Sequence, residues 1–92
     1  LDPKLVLAHR NLAIALKQGG KLDEAVPHYR KVVELNPDTA GDHYNLGLAL
    51  HLQKKWEEAV AAYRRAIELD PGLAAAHGNL GQVLTRQGKF EE

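Results

Sequence analysis

The sequence has no cysteine and no methionine, only four prolines, and aromatic residues at 5% of its 92 positions. Without thiols it can form no disulfide, no thiolate nucleophile and no cysteine-based zinc site, so the fold must be held by packing alone. A cysteine-free chain is tolerated in oxidising and reducing compartments alike, and a soluble cytoplasmic chain is the working expectation. An excess of one charge is also missing, since 12 Lys+Arg stand against 12 Asp+Glu. Such a chain has no overall cationic field to hold a phosphate backbone or an anionic membrane surface, which argues against nucleic acid and membrane as partners. No apolar run approaches the roughly 18 residues of a spanning helix, and Leu1-Asp2-Pro3-Lys4 has no signal-peptide shape. The length allows one small domain over residues 1–92. The missing methionine and the way the pattern stops in mid-unit suggest a piece of a longer protein.

What is present is dominated by Ala, Leu and Val, within a hydrophobic content of 45%. That mixture suits close helix–helix packing. A repeat of 34 residues runs through the chain: Leu35-Asn36-Pro37 returns as Leu69-Asp70-Pro71 and is prefigured by Leu1-Asp2-Pro3. His9, Asn11 and Leu12 return as His43, Asn45 and Leu46, then as His77, Asn79 and Leu80, always at the same offset. Glu24-Ala25-Val26 with Tyr29-Arg30 matches Glu58-Ala59-Val60 with Tyr63-Arg64. Within a unit the apolar positions recur every three and four residues, as in Leu12 and Leu16 or Val26, Tyr29, Val32 and Val33, which is the spacing of amphipathic helices. Each unit therefore reads as two helices. Gly19-Gly20 and Gly88 loosen the turns, Gln53-Lys54-Lys55 does so less well, and Pro37 and Pro71 end the second helices. The spacing predicts helices over 5–19, 22–35, 40–53, 56–69 and 74–87, in units of about 6–39, 40–73 and an incomplete 74–92.

These residues resemble the tetratricopeptide repeat over the whole chain. The family's signature has a large residue, Leu and Gly or Ala in the first helix, Ala and an aromatic in the second, and Pro at the end. Here the matching positions are His9, Leu12, Ala13, Leu16, Ala25, Tyr29, Val32 and Pro37, then His43, Leu46, Gly47, Leu50, Ala59, Tyr63, Ala66 and Pro71, then His77, Leu80, Gly81 and Leu84. The resemblance implies an all-α, right-handed solenoid of antiparallel helix pairs. Small residues at Ala13, Gly47, Gly81, Ala25 and Ala59 fit it sterically, because a large side chain there would force the helices beyond the usual ~8–10 Å. Leu22, Trp56 and Phe90 open the second helices as apolar plugs. Two departures stand out: His replaces the more usual large aromatic in all three units, and Pro27 lies inside a predicted helix, where some bend is expected.

The resemblance also implies a site. In such arrays the first helices line a concave face on which an extended segment can lie. The positions carried over are Arg10, Asn11, Ile14 and Lys17, then Tyr44, Asn45, Leu48, His51 and Leu52, then Asn79, Gln82 and Arg86. Tyr44, Leu48 and Leu52 make the middle apolar, and Arg10, Lys17 and Arg86 flank it with positive charge, so the expected ligand is a protein or peptide segment with an apolar centre and acidic flanks. Asn11, Asn45 and Asn79 would stand ~10 Å apart, about three residues of extended chain. A carboxamide both donates and accepts, so such a row can hold a peptide backbone. It resembles the asparagine ladder of O-GlcNAc transferase-type arrays. The alternative is that Asn is simply a solvated or backbone-bonded residue at that place. A carboxylate clamp of the kind that holds chaperone tails is disfavoured, since Ile14, Ala75 and Asn79 occupy positions where the clamp has polar or cationic side chains.

Metal and catalytic chemistry find little support. His9, His43 and His77 recur once per unit, too far apart to share an ion whose bonds are about 2.0–2.1 Å, and read as packing residues. His28 and His51 read as surface residues. Asp23-Glu24, Glu57-Glu58 and Glu91-Glu92 mark helix starts, where negative charge complements the dipole. No cofactor and no enzymatic activity are expected. Beside groove binding, two other roles remain open. The end faces, with Leu5 and Ala8 at one end and Leu80, Val83, Leu84 and Phe90 at the other, suit a spacer or self-association module. A substrate-presenting arm of a larger enzyme is the other.

Overall fold

The computed structural model describes residues 2–88. It contains α1 (Pro3–Gln18), α2 (Leu22–Leu35), α3 (Ala40–Leu52), α4 (Trp56–Leu69) and α5 (Ala74–Arg86), with no strand among the described residues. Each helix packs on the next along the chain and α3 also meets α5, giving an all-α solenoid with extents of 42 × 27 × 17 Å. The odd-numbered helices form one layer and the even-numbered helices the other.

Local chemistry explains most boundaries. Pro3 takes the first position of α1, where its missing N–H costs nothing, and the Asp2 carboxylate accepts from the Lys4 N–H at 2.9 Å. The same Asx-Pro pair in the later units ends a helix instead, so α1 begins two residues before the expected start. At Asn36 and Asp70 the backbone N–H closes on Val32 and Ala66, and the chain leaves the helix into Pro37 and Pro71. His43 and His77 then donate Nε2–H to the carbonyls of Pro37 and Pro71, at 2.7 and 2.8 Å. The recurring histidines of the later units thus tie each first helix to the turn before it.

Turns within units share one geometry. Gly20, Lys54 and Gly88, 34 residues apart, all take positive φ, at 80°, 66° and 77°. In the first two, a backbone N–H one residue on reaches back to Leu16 and Leu50, at 2.8 and 2.9 Å. Lys54 adopts a conformation its side chain disfavours because the rest of the turn dictates it.

The core runs between the two layers. Ala13, Ala25, Ala49, Ala59, Ala66 and Ala76 are fully buried, and Tyr29, Val32, Leu50, Tyr63 and Val83 fill the space they leave. Two readings of the packing need correction. Leu12 is 45% exposed although its repeat partner Leu46 is buried, because α2 covers α3 whereas no described helix covers that side of α1. Val83, expected on an uncovered end face, is completely buried against the core. Pro27 does not interrupt α2; it sits on the exposed side, and the carbonyl it leaves without a donor is that of Asp23 in the first turn. Trp56 and Leu22 are half-buried against the core, as plugs. Phe90 lies outside the described residues.

Candidate functional site on the first-helix layer

The residues expected to line a groove all lie on α1, α3 and α5. Its middle is held by a polar cluster that α4 completes from behind. Tyr63, buried on α4, sends its hydroxyl to within 3.1 Å of His51 Nδ1, and the Asn79 amide donates to the hydroxyls of Tyr44 at 3.2 Å and, more distantly, Tyr63 at 3.4 Å. The Tyr44 and Tyr63 rings lie 5.9 Å apart, and His51 meets Trp56 and Tyr63 edge-on at 5.9 and 6.0 Å. With Asn79 donating to it, the Tyr63 hydroxyl is left to donate to a neutral His51 Nδ1. Burial pushes the Tyr63 hydroxyl up to about 12, an effect the Asn79 hydrogen bond opposes.

His51 is half-buried against Tyr63 and Trp56, more enclosed than the surface residue the sequence implied. Burial lowers its pKa below the ordinary 6.5, and the charge of Arg86 acts in the same direction. The unfolded chain then binds the proton more readily than the folded one, so stability from this group is present above pH 6.5 and is lost as the pH falls below it. The expected result is a Tm that declines on acidification below about pH 6.5, with a shallower decline in His51→Gln, measured by circular dichroism melts across pH 5–8.

Arg10 is the second correction. The sequence placed it as a free cation on the groove rim. It instead makes a two-point ion pair from α1 to α3, Nε to Asp42 Oδ1 and Nη2 to Asp42 Oδ2, both at 2.7 Å. Asp42 is the buried charged residue among the described residues, 3% exposed, and it also accepts from Asn36 Nδ2 at 3.0 Å. Asp42 holds the guanidinium pKa above its usual value, through the hydrogen bond first and Coulomb attraction in addition, with burial opposing. Sequence reasoning missed Asp42, Asn36 and Tyr63. Asp42 carried a signal, because Ala8 and Ala76 stand at its place in the units on either side.

The remaining positions divide by accessibility. Ile14 and Tyr44 pack against the core, Asn45, Leu48 and Lys17 are half-exposed, and Asn11, Gln82 and Arg86 are exposed, as is Leu52 at 53%. Neither Asn11 nor Asn45 has a hydrogen-bond partner among the described residues, whereas both amide hydrogens of Asn79 face tyrosine hydroxyls. Gln82 and Arg86, with Gly81 and Thr85, border an open depression of about 490 Å³ on α5.

His28, read as a surface residue, is half-buried on α2 and meets His9 of α1, Nδ1 to Nδ1, at 3.1 Å. The two rings are 5.3 Å apart and tilted by 31°. No cluster of three or more His, Asp or Glu occurs among the described residues.

The repeat geometry has a counterpart in known sequences. The family model described as the tetratricopeptide repeat matches residues 10–74, and a second model with that description matches residues 62–92. The chain belongs to the tetratricopeptide repeat family. A comparison with curated proteins finds no match. Among solved structures, the crystal structure of MamA is similar at TM-score 0.91 and 29% identity, over 98% of this chain and 53% of that one. MamA of MSR-1 is similar at TM-score 0.87 and 28% identity, over 94% of this chain and 49% of that one. The chain thus spans about half the length of these MamA chains. The second tetratricopeptide domain of human RPAP3, solved in complex with an HSP70 peptide, matches in fold at TM-score 0.88 and 23% identity, over 94% of this chain and 72% of the other. A tetratricopeptide array is a protein–protein interaction module, and no described helix here is long and apolar enough to cross a membrane.

Proposed function

We propose that the chain binds an extended peptide or protein segment across the α1–α3–α5 layer, with the units divided near residues 6–39, 40–73 and 74–92. The observation that carries this reading is the pairing on α3 of Asn45, whose amide has no partner among the described residues, with Leu52, 53% exposed about two turns further on along the same side of the helix. A free carboxamide and an accessible apolar side chain about two turns apart on one helix face suit an extended ligand that brings its own backbone groups and an apolar residue. Lys17 and Arg86 have no ion-pair partner among the described residues, so acidic flanks on the ligand would meet them, while Arg10 is already matched by Asp42.

Asn11 and Asn45 are the rungs free to grip a backbone. Asn79 keeps only its carbonyl oxygen for that purpose, which makes the third rung an acceptor. Tyr44 and His51 position Asn79 and Tyr63 from below. The test is binding of a fluorescent peptide array, apolar at the centre and acidic at both ends, to the wild type and to Asn45→Ala/Leu52→Ala. A loss of affinity of roughly 5- to 30-fold is expected, from one lost hydrogen bond and one lost apolar contact at about 1–2 kcal/mol together. Leu5→Ala, on the outer side of α1, is expected to bind as wild type. Equal binding by the groove variant would overturn the reading. Loss in Leu5→Ala would favour stacking of end faces, which the 44% and 45% exposure of Leu5 and Leu12 also suits.

A further inference from the structure

We propose that His9 and His28 form a two-ligand chelate for a late first-row divalent cation, of the borderline class that imidazole prefers: Cu(II), Ni(II) or Zn(II). Their Nδ1 atoms face one another at 3.1 Å across the α1–α2 hairpin. Two nitrogens bound to one ion at about 2.0–2.1 Å stand about 3.3 Å apart at a tetrahedral angle and about 2.9 Å apart at a right angle. The observed separation lies between those limits, so the spacing suits a shared ion once each ring, which meets the other nearly head-on with centroids 5.3 Å apart, turns its Nδ1 lone pair toward it. The pair is also prearranged. Each ring is half-buried and sits on a different helix, 19 residues apart in sequence, and the two helices are packed against each other along their length.

In the metal-free chain the contact is satisfied only when one ring carries its proton on Nδ1 and the other offers a lone pair. Binding an ion needs both Nδ1 atoms bare and both Nε2 atoms protonated, a change of tautomer with no net loss of protons from the neutral pair. No cluster of three or more His, Asp or Glu gathers here among the described residues, so water fills the remaining coordination positions and the ion stays exchangeable. The other histidines do not compete as pairs: His43 and His77 spend Nε2–H on proline carbonyls and His51 faces Tyr63. The ion joins α1 to α2, so it stabilises the hairpin.

The test uses Cu(II) and Zn(II) as probes on the whole chain. Titration should give one ion per chain, with a Cu(II) spin-resonance spectrum showing hyperfine splitting from two equivalent nitrogens. Free Zn(II) about 100-fold above its Kd should raise Tm by roughly 10 °C. His9→Gln and His28→Gln should each weaken Cu(II) binding at least 100-fold, beyond the 10–100-fold that removal of an outer-shell partner costs. His77→Gln should bind as wild type, and helical content by circular dichroism should be retained in all three variants. The proposal is overturned if either single variant at His9 or His28 keeps wild-type affinity, if His77→Gln loses it, or if the spectrum shows a single nitrogen.

Discussion

Gly47→Ala is expected to destabilise the chain, while Gly81→Ala, the same change one repeat later, is expected to stabilise it. A Cβ at Gly47 would lie 2.8 Å from both Cδ1 and Cε1 of Tyr63 and 3.3 Å from the Ala62 Cβ. Tyr63 is fully buried, with its hydroxyl engaged by His51 and Asn79, so the ring cannot retreat without loosening that cluster. Overpacking of this kind costs about 1–3 kcal/mol, and the better helix propensity of Ala returns only about 1 kcal/mol. A Cβ at Gly81 meets nothing within 4 Å among the described residues, so the propensity gain of about 1 kcal/mol stands alone. Urea denaturation of the two variants would check this. A Gly47→Ala chain as stable as Gly81→Ala would mean that α3 and α4 are not in the close contact described. The wider point is that one symbol in a repeat covers two physical situations, because the helix that packs on Gly47 has no described counterpart over Gly81.

That contrast also bounds what the sequence made legible. Periodicity and the Asx-Pro and Gly-Gly punctuation determine which residues are helical, and the five observed helices fall within two residues of the expected limits. Those signals depend on backbone chemistry that each short stretch carries by itself. Side-chain partnerships are different, because they join residues on separate helices and no local rule ties Arg10 to Asp42 or His9 to His28. Arg10 was assigned a role by its place in the repeat, and repeat position says which layer a side chain belongs to but not whether a neighbour has already claimed it. The same limit applies to Asn79, which stands where a ladder rung should and yet donates to two tyrosines. The informative residues were those that break the repeat, above all Asp42 between Ala8 and Ala76.

Breaking the Arg10–Asp42 pair should have unequal effects depending on which partner is removed. Arg10→Ala removes the cation from a carboxylate that is 3% exposed in the intact chain and leaves Asn36 as its remaining side-chain donor, and the cost expected for an uncompensated buried charge is about 3 kcal/mol. Asp42→Ala places at this position the residue found in the neighbouring units, and the Arg10 side chain, 27% exposed already, can turn its charged head to water, so about 1 kcal/mol is expected. The double variant should then resemble Asp42→Ala alone, a strongly non-additive cycle. Chemical denaturation of the three proteins would establish this, and equal losses in the single variants would show that the carboxylate is not desolvated. Stability and recognition are coupled here: Asp42→Ala frees a guanidinium on the groove rim, so it should bind an acidic-flanked segment more tightly than wild type even though it is less stable. That opposition of signs separates an electrostatic role of Arg10 in the groove from its structural role, because a loss of folding alone could only weaken binding.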